Sequence, residues 1–166
     1  MRKIIIISNR LPVTVKREKE NLAYHKSIGG LATGLKKYHQ QSGSIWVGWP
    51  GIASEEISQQ EAEAIRQELK KHQCLPVFLT GEEIERYYNG FCNETIWPLF
   101  HYFTSTTQYR AENWEAYKQV NYKFFRTVKD VIEENDIIWV HDYQLMLLPR
   151  MIKEQYPATQ VGFFLH

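Results

Sequence analysis

Short apolar runs alternate with amphipathic stripes along the whole of this chain. Lys3 to Ile7 is a β-branched run without polar alternation, the pattern of a strand buried on both faces of a parallel sheet. Val15 to Lys26 is polar and reads as an irregular loop or a hairpin. Gly29-Gly30 opens a predicted helix to about Gln41, with Leu31 and Leu35 on its inner face. Ser44 to Val47 predicts a second strand, which runs into the turn cluster Gly48-Trp49-Pro50-Gly51.

The middle of the chain carries clearer punctuation. Ser58-Gln59-Gln60-Glu61 fits a capping box, and Ala62, Ile65 and Leu69 then share one stripe of a surface helix. Leu75 to Leu79 predicts a strand. Thr80 with Glu83 is a second capping box, opening a helix that carries Tyr87 and Tyr88. From Trp114 onward, Tyr117, Val120, Phe124, Val128 and Val131 recur at helical spacing. Asp136 to Val140 predicts a buried strand, Leu145 to Glu154 a helix, and Gln160 to Leu165 a last apolar strand. Strands alternating with helices predict a Rossmann-like, doubly wound α/β domain with a mainly parallel sheet. No internal repeat, low-complexity segment or linker interrupts it, so residues 1–166 read as one domain.

Charge narrows the function classes. Twenty lysines and arginines face nineteen acids, so no general basic field draws the chain to nucleic acid or an anionic membrane. Any anionic ligand must be held by local charge. The aromatic share of 14% suits a tyrosine-rich core and sugar-binding faces equally. Cys74 and Cys92 lack the spacing of metal ligands or of a disulfide framework, and with no secretory leader they point to a cytoplasmic location. The opening MRKIIIIS is too short for a signal peptide, and no stretch has the length of a membrane span.

In open α/β sheets, ligands sit beyond the carboxyl ends of the strands. That rule selects Ser8-Asn9-Arg10 after the first strand, His141-Asp142 after Ile137-Ile138-Trp139-Val140, and His166 after the last strand. Each has an ordinary structural alternative. Arg10 can pair with a surface carboxylate, His141 can be a satisfied core histidine, and Asp142 can cap the helix near Leu145. Gly29-Gly30 precedes a helix and is a point of backbone approach for a phosphate, although a glycine pair alone is usually a turn. Dinucleotide and P-loop fingerprints, metal-ligand clusters and a nucleophile elbow are all missing from the sequence. The residues by themselves lead to a polar crevice suited to a phosphorylated sugar.

Eight ordered motifs go further. SNRLPV at 8–13, SIGGL at 27–31, WVGWPG at 46–51, YYNGF at 87–91, IWPLFHY at 96–102, VN at 120–121, IIWVHDYQLMLLP at 137–149 and GFFLH at 162–166 span essentially the whole chain. Together they resemble the amino-terminal half of the trehalose-6-phosphate synthases, retaining glycosyltransferases of family 20. The resemblance implies a GT-B fold of two Rossmann-like domains, the first binding acceptor and the second most of the donor. It implies glucose transfer from UDP-glucose to glucose 6-phosphate, with no cofactor and no metal. Arg10 then matches the acceptor-phosphate arginine, with a guanidinium fork suited to phosphate oxygens. Tyr88, Trp97 and Trp49 match acceptor-pocket aromatics, and Asp142 the carboxylate on the acceptor sugar. Gly29 and Gly30 match the loop over the donor diphosphate, and His166 a histidine reaching the donor glucose. Asp142 and His166 are the expected catalytic pair. In retaining enzymes of this fold, positioning and leaving-group stabilisation replace a protein nucleophile.

The chain departs from the family pattern at Gln144, where histidine is usual, and at Cys92, where serine is usual. Ending on His166, at a strand end of the expected active site, it reads as part of a longer protein that transfers no glucose alone. The expected partners are the two small substrates, without nucleic acid or membrane, and a homo-oligomer of the parent is compatible with the sequence. Three competing readings share the fold: a glucosylglycerol-phosphate synthase, a non-catalytic sugar-phosphate-sensing subunit, and a Rossmann-like interaction module.

Overall fold

Five short strands form one parallel sheet in a computed structural model that describes residues 3–133 and 135–166. In chain order they are β1 (Ile4–Arg10), β4 (Ile45–Trp49), β5 (Cys74–Pro76), β6 (Ile137–His141) and β7 (Gln160–Phe164), arranged β5-β4-β1-β6-β7. The segment read as loop or hairpin is a separate antiparallel hairpin, β2 (Val13–Glu18) and β3 (Asn21–Lys26). Strand order reverses direction between β1 and β6, so the fold is doubly wound, with its switch point beside β1.

The two-residue period of β1 explains why isoleucine fills it. Ile5 and Ile7 face one side of the sheet and Ile6 the other, and all three are fully buried. The Ile5 side packs against α5 (Ala111–Lys129) and α6 (Leu148–Gln155), through Tyr117, Val120, Phe124 and Ile152. The Ile6 side packs with Trp46 against Ile65 and Leu69 of α2 (Gln59–Lys70), with Leu31 and Leu35 of α1 (Gly30–Ser42) on its margin. Both capping boxes form. Glu61 N–H donates to Ser58 Oγ at 3.2 Å, and Ser58 N–H to the Glu61 carboxylate at 2.8 Å. Ser58→Ala is therefore expected to cost about 1 kcal/mol, read as a lower urea midpoint with unchanged slope.

Several predicted elements end elsewhere. The strand expected over Leu75 to Leu79 spans only Cys74 to Pro76; the missing N–H of Pro76 falls on the open edge of the sheet, Val77 N–H still donates to the Gly48 carbonyl at 2.8 Å, and Leu79 makes one isolated bridge to Ala53. The helix opened by Thr80 is α-helical only in α3 (Gly81–Glu83). It then widens to a π-helical stretch, Ile84–Ile96, before α4 (Trp97–Phe100). The helix expected from Leu145 begins at Leu148, since Pro149 suits a first turn; a 3₁₀ turn, Tyr143–Leu145, precedes it. The last apolar strand forms as β7, at the sheet edge, with Phe163 and Phe164 exposed.

Candidate functional site

A cleft of about 950 Å³ opens beyond the carboxyl ends of β1, β6 and β7, at the switch point. Ser8, Asn9 and Arg10 line it from β1, His141 and Asp142 from the end of β6, and His166 from beyond β7. Residues separated by more than 150 positions are thus brought to one cleft by strand register.

Arg10 stands on a distorted strand end. The β1–β4 pairing is in register at Ile5, Ile6 and Ile7, then shifts before Arg10. Ser8 is turned inward, its hydroxyl donating to the Arg10 carbonyl at 2.7 Å and accepting from Trp46 Nε1 at 2.8 Å. Gly48 permits this kink: a Cβ there would lie 2.8 Å from Leu11 N and 2.9 Å from the Arg10 carbonyl carbon. The Arg10 guanidinium lies over the Trp49 ring, 4.2 Å from its centre, and pairs with no carboxylate among the described residues. Burial lowers its pKa from the ordinary value, and Tyr88 acts in the opposite sense. Arginine nevertheless stays charged at neutral pH, so the cleft holds a cation without a protein counter-ion.

Asp142 lines the same cleft from the turn after β6. Its backbone has φ +75°, a conformation that L-residues seldom adopt, and is held there on two sides. Its N–H donates to the Phe164 carbonyl at 2.7 Å, and its carboxylate accepts from Tyr143 N–H at 2.9 Å. Asp142 therefore caps the 3₁₀ turn Tyr143–Leu145 and not the helix considered for it, which starts at Leu148 without a side-chain cap, and one carboxylate oxygen is so engaged. Helix α5 supports the turn from beneath. Tyr117 OH donates to the Tyr143 carbonyl at 2.8 Å and accepts from Met146 N–H at 3.0 Å; Asn121 Nδ2 donates to the Gln144 carbonyl at 3.1 Å.

Gly29 and Gly30 form the third wall. Gly29 precedes α1 in extended conformation, no side chain caps the helix, and no acid sits in its first turn. The first amides and the positive dipole end are thus left for a ligand. His166 completes the rim, with its Nε2 3.1 Å from Nδ1 of the buried His141.

The remaining sequence candidates divide. Tyr88 lines the cleft with Arg10. Trp97 lies in an adjoining hollow of about 420 Å³ that it shares with Asp142 and His166, stacked on His101 at 4.2 Å. Trp49 is not on the wall. It is buried, its Nε1 donates to the Ile52 carbonyl at 2.9 Å, and it serves as the platform for Arg10. Gln144, Ser27 and Trp139 also line the cleft, and the sequence gives none of them a site role. Gln144 stands out in the sequence only as a departure from the family pattern, and Ser27 and Trp139 only as members of the ordered motifs.

Burial, and secondarily His166, push the His141 imidazole down to about 4. Unfolded, the same group titrates near 6.5, so between those values the unfolded chain binds a proton that the folded chain excludes. Stability should fall as pH drops through that window, by on the order of 2 kcal/mol. Urea midpoints followed against pH, with His141→Asn as comparison, check this; the variant should lose that part of the slope.

Residues 2–166 match Glycosyltransferase family 20. A UDP-forming α,α-trehalose-phosphate synthase of Aspergillus fumigatus is 39% identical over 170 residues, covering 99% of this chain and 32% of that protein. A crystal structure of a UDP-forming α,α-trehalose-phosphate synthase from Burkholderia xenovorans superimposes with a TM-score of 0.74 at 30% identity, over 100% of this chain and 32% of that one. A second structure of such a synthase from Burkholderia xenovorans, in complex with glucose-6-phosphate, gives 0.73 at 28% identity, over 100% and 33%. The chain spans about a third of the length of the relatives it matches.

Proposed function

The chain belongs to glycosyltransferase family 20, and from that premise we propose that it is the acceptor-binding domain of a UDP-forming α,α-trehalose-phosphate synthase. In this reading the domain holds glucose 6-phosphate while glucose is transferred to it from UDP-glucose with retention. Most of the donor site then lies in the part of the relatives that this chain does not span.

The unpaired guanidinium of Arg10 carries the reading. Its planar fork rests on Trp49 at the switch point, with no described carboxylate paired to it, and offers a phosphate two parallel N–H donors. Asp142, in the same cleft, retains acceptor capacity for sugar hydroxyls, and Tyr88 and Trp97 supply flat faces for the ring. The amides at the start of α1, with Gly29 and Gly30 at their head, suit the diphosphate of the nucleotide sugar. His166 lines both the cleft and the adjoining hollow, which supports a contact with the donor sugar where the two substrates would meet.

With these residues the protein contributes orientation and electrostatics rather than a covalent intermediate. Acceptor phosphate bound at Arg10 would fix the sugar against Asp142, and the helix terminus would stabilise charge on the departing UDP.

Calorimetric titration of the chain with glucose 6-phosphate tests the proposal, with glycerol 3-phosphate and unphosphorylated glucose as competitors. Saturable binding that glucose cannot match is expected. Preference for glycerol 3-phosphate would replace the proposed acceptor by a polyol phosphate, and absence of binding to either would sink the assignment of this domain.

A further inference from the structure

Two imidazoles meet at the rim of the cleft in an arrangement that assigns a proton. Nδ1 of His141 lies 3.1 Å from Nε2 of His166, with the rings 5.4 Å apart and tilted by 25°. The sheet sets this spacing. His141 is opposite Phe164 in the β6–β7 register, and Asp142 N–H donates to the Phe164 carbonyl one step further on. His141 is 1% exposed and packs against Trp139 at 4.6 Å. Its second nitrogen, Nε2, is buried without a hydrogen-bond partner among the described residues.

A hydrogen bond between two ring nitrogens needs one N–H and one lone pair, so a neutral pair has two arrangements. If His166 donated, the single proton of His141 would sit on Nε2, as a buried N–H facing no acceptor. Orphaned buried N–H groups are among the rarest features of folded proteins, whereas under-satisfied lone pairs are better tolerated. If His141 donates from Nδ1, the orphan is only a lone pair. His141 carries one proton at neutral pH, since burial pushes its imidazole down to about 4.

We infer that His141 is a positioning residue: it donates Nδ1–H to His166 Nε2 and so fixes His166 in the tautomer whose proton is on Nδ1. That second N–H, on a ring that lines the cleft and engaged by no described residue, becomes a directed donor for an oxygen acceptor, of the class of a sugar hydroxyl. The tautomer follows from the pair alone. Its use on a donor sugar rests on the function proposed above.

Long-range proton–nitrogen NMR on the uniformly ¹⁵N-labelled chain at neutral pH, free of sugars, reads the protonation of each ring nitrogen directly. His166 should show a protonated Nδ1 and a bare Nε2, and His141 the same. In His141→Ala the majority tautomer of His166 should invert, with the amide spectrum elsewhere retained. His141→Asn, whose side-chain amide can replace the Nδ1–H donor, should restore the original pattern. A wild-type His166 protonated on Nε2 overturns the inference, as does an unchanged tautomer in His141→Ala; the wild-type reading decides even if a variant fails to fold. Glucose 6-phosphate titration of the same samples keeps the two proposals apart, because lost sugar binding with the tautomer intact counts only against the function.

Discussion

Arg10→Ala is expected to weaken glucose 6-phosphate binding by about 100-fold, the equivalent of two charge-assisted hydrogen bonds at roughly 1.5 kcal/mol each. The guanidinium pairs with no described carboxylate, so its removal strands no buried partner charge. Only the stacking contact with Trp49 is lost from the folded state, about 0.5–1 kcal/mol, and thermal stability should change little. Arg10→Lys keeps the charge but loses the fork and the flat contact, so about tenfold weakening is expected. Calorimetry on both variants, each with a melting curve, separates lost recognition from lost fold. Unchanged affinity in Arg10→Ala would remove the phosphate from this end of the cleft.

Gly48→Ala should produce the largest change in stability, and should damage the site without touching any ligand. The added methyl would stand 2.8–2.9 Å from Leu11 N, the Arg10 carbonyl carbon and the Ser8 carbonyl oxygen. All three are backbone atoms, so no side chain can turn aside to relieve the overlap. The β1 strand end must move, at about 2–3 kcal/mol, or roughly 5–10 °C in melting temperature for a chain of this size. Movement there carries the Ser8 hydroxyl off Trp46 Nε1 and the Arg10 guanidinium off Trp49. Folded Gly48→Ala protein is therefore expected to bind glucose 6-phosphate less well than wild type, although residue 48 lies behind Arg10. A melting temperature within a degree or so of wild type would show that the strand end has slack.

The cleft also explains why neighbours in the sheet can have unlike roles. Arg10 and Trp49 come from adjacent strands, one facing the cleft and the other buried beneath it. Gly51, at φ +94°, keeps the space beside them open, since a Cβ there would stand 3.0 Å from Arg10 Nη1 and 2.8 Å from Thr14 Cγ2. The GWPG turn is thus best understood as scaffolding for the arginine. A motif match marks that a residue is needed, but does not distinguish touching a ligand from holding the residue that touches it.

Much of the architecture follows from local signals in the chain. The β-branched runs at Ile4–Ile7 and Ile137–Val140, the capping boxes at Ser58 and Thr80, and the stripe from Tyr117 to Val128 each depend on residues close in sequence. Their physics, backbone sterics, caps and amphipathic spacing, acts over a turn or two. The doubly wound class follows from their alternation, and the switch-point rule then names Arg10, His141, Asp142 and His166 as neighbours. Long-range pairing decides the rest. The place of Trp49 under Arg10 depends on a register shift between β1 and β4, and the contact of His141 with His166 depends on how β6 meets β7. Neither has a local signature, because strand register is set by which faces the whole sheet must bury. Sequence alone thus determined which residues gather at the strand ends, and the tertiary structure decided which face the ligand and which hold them there.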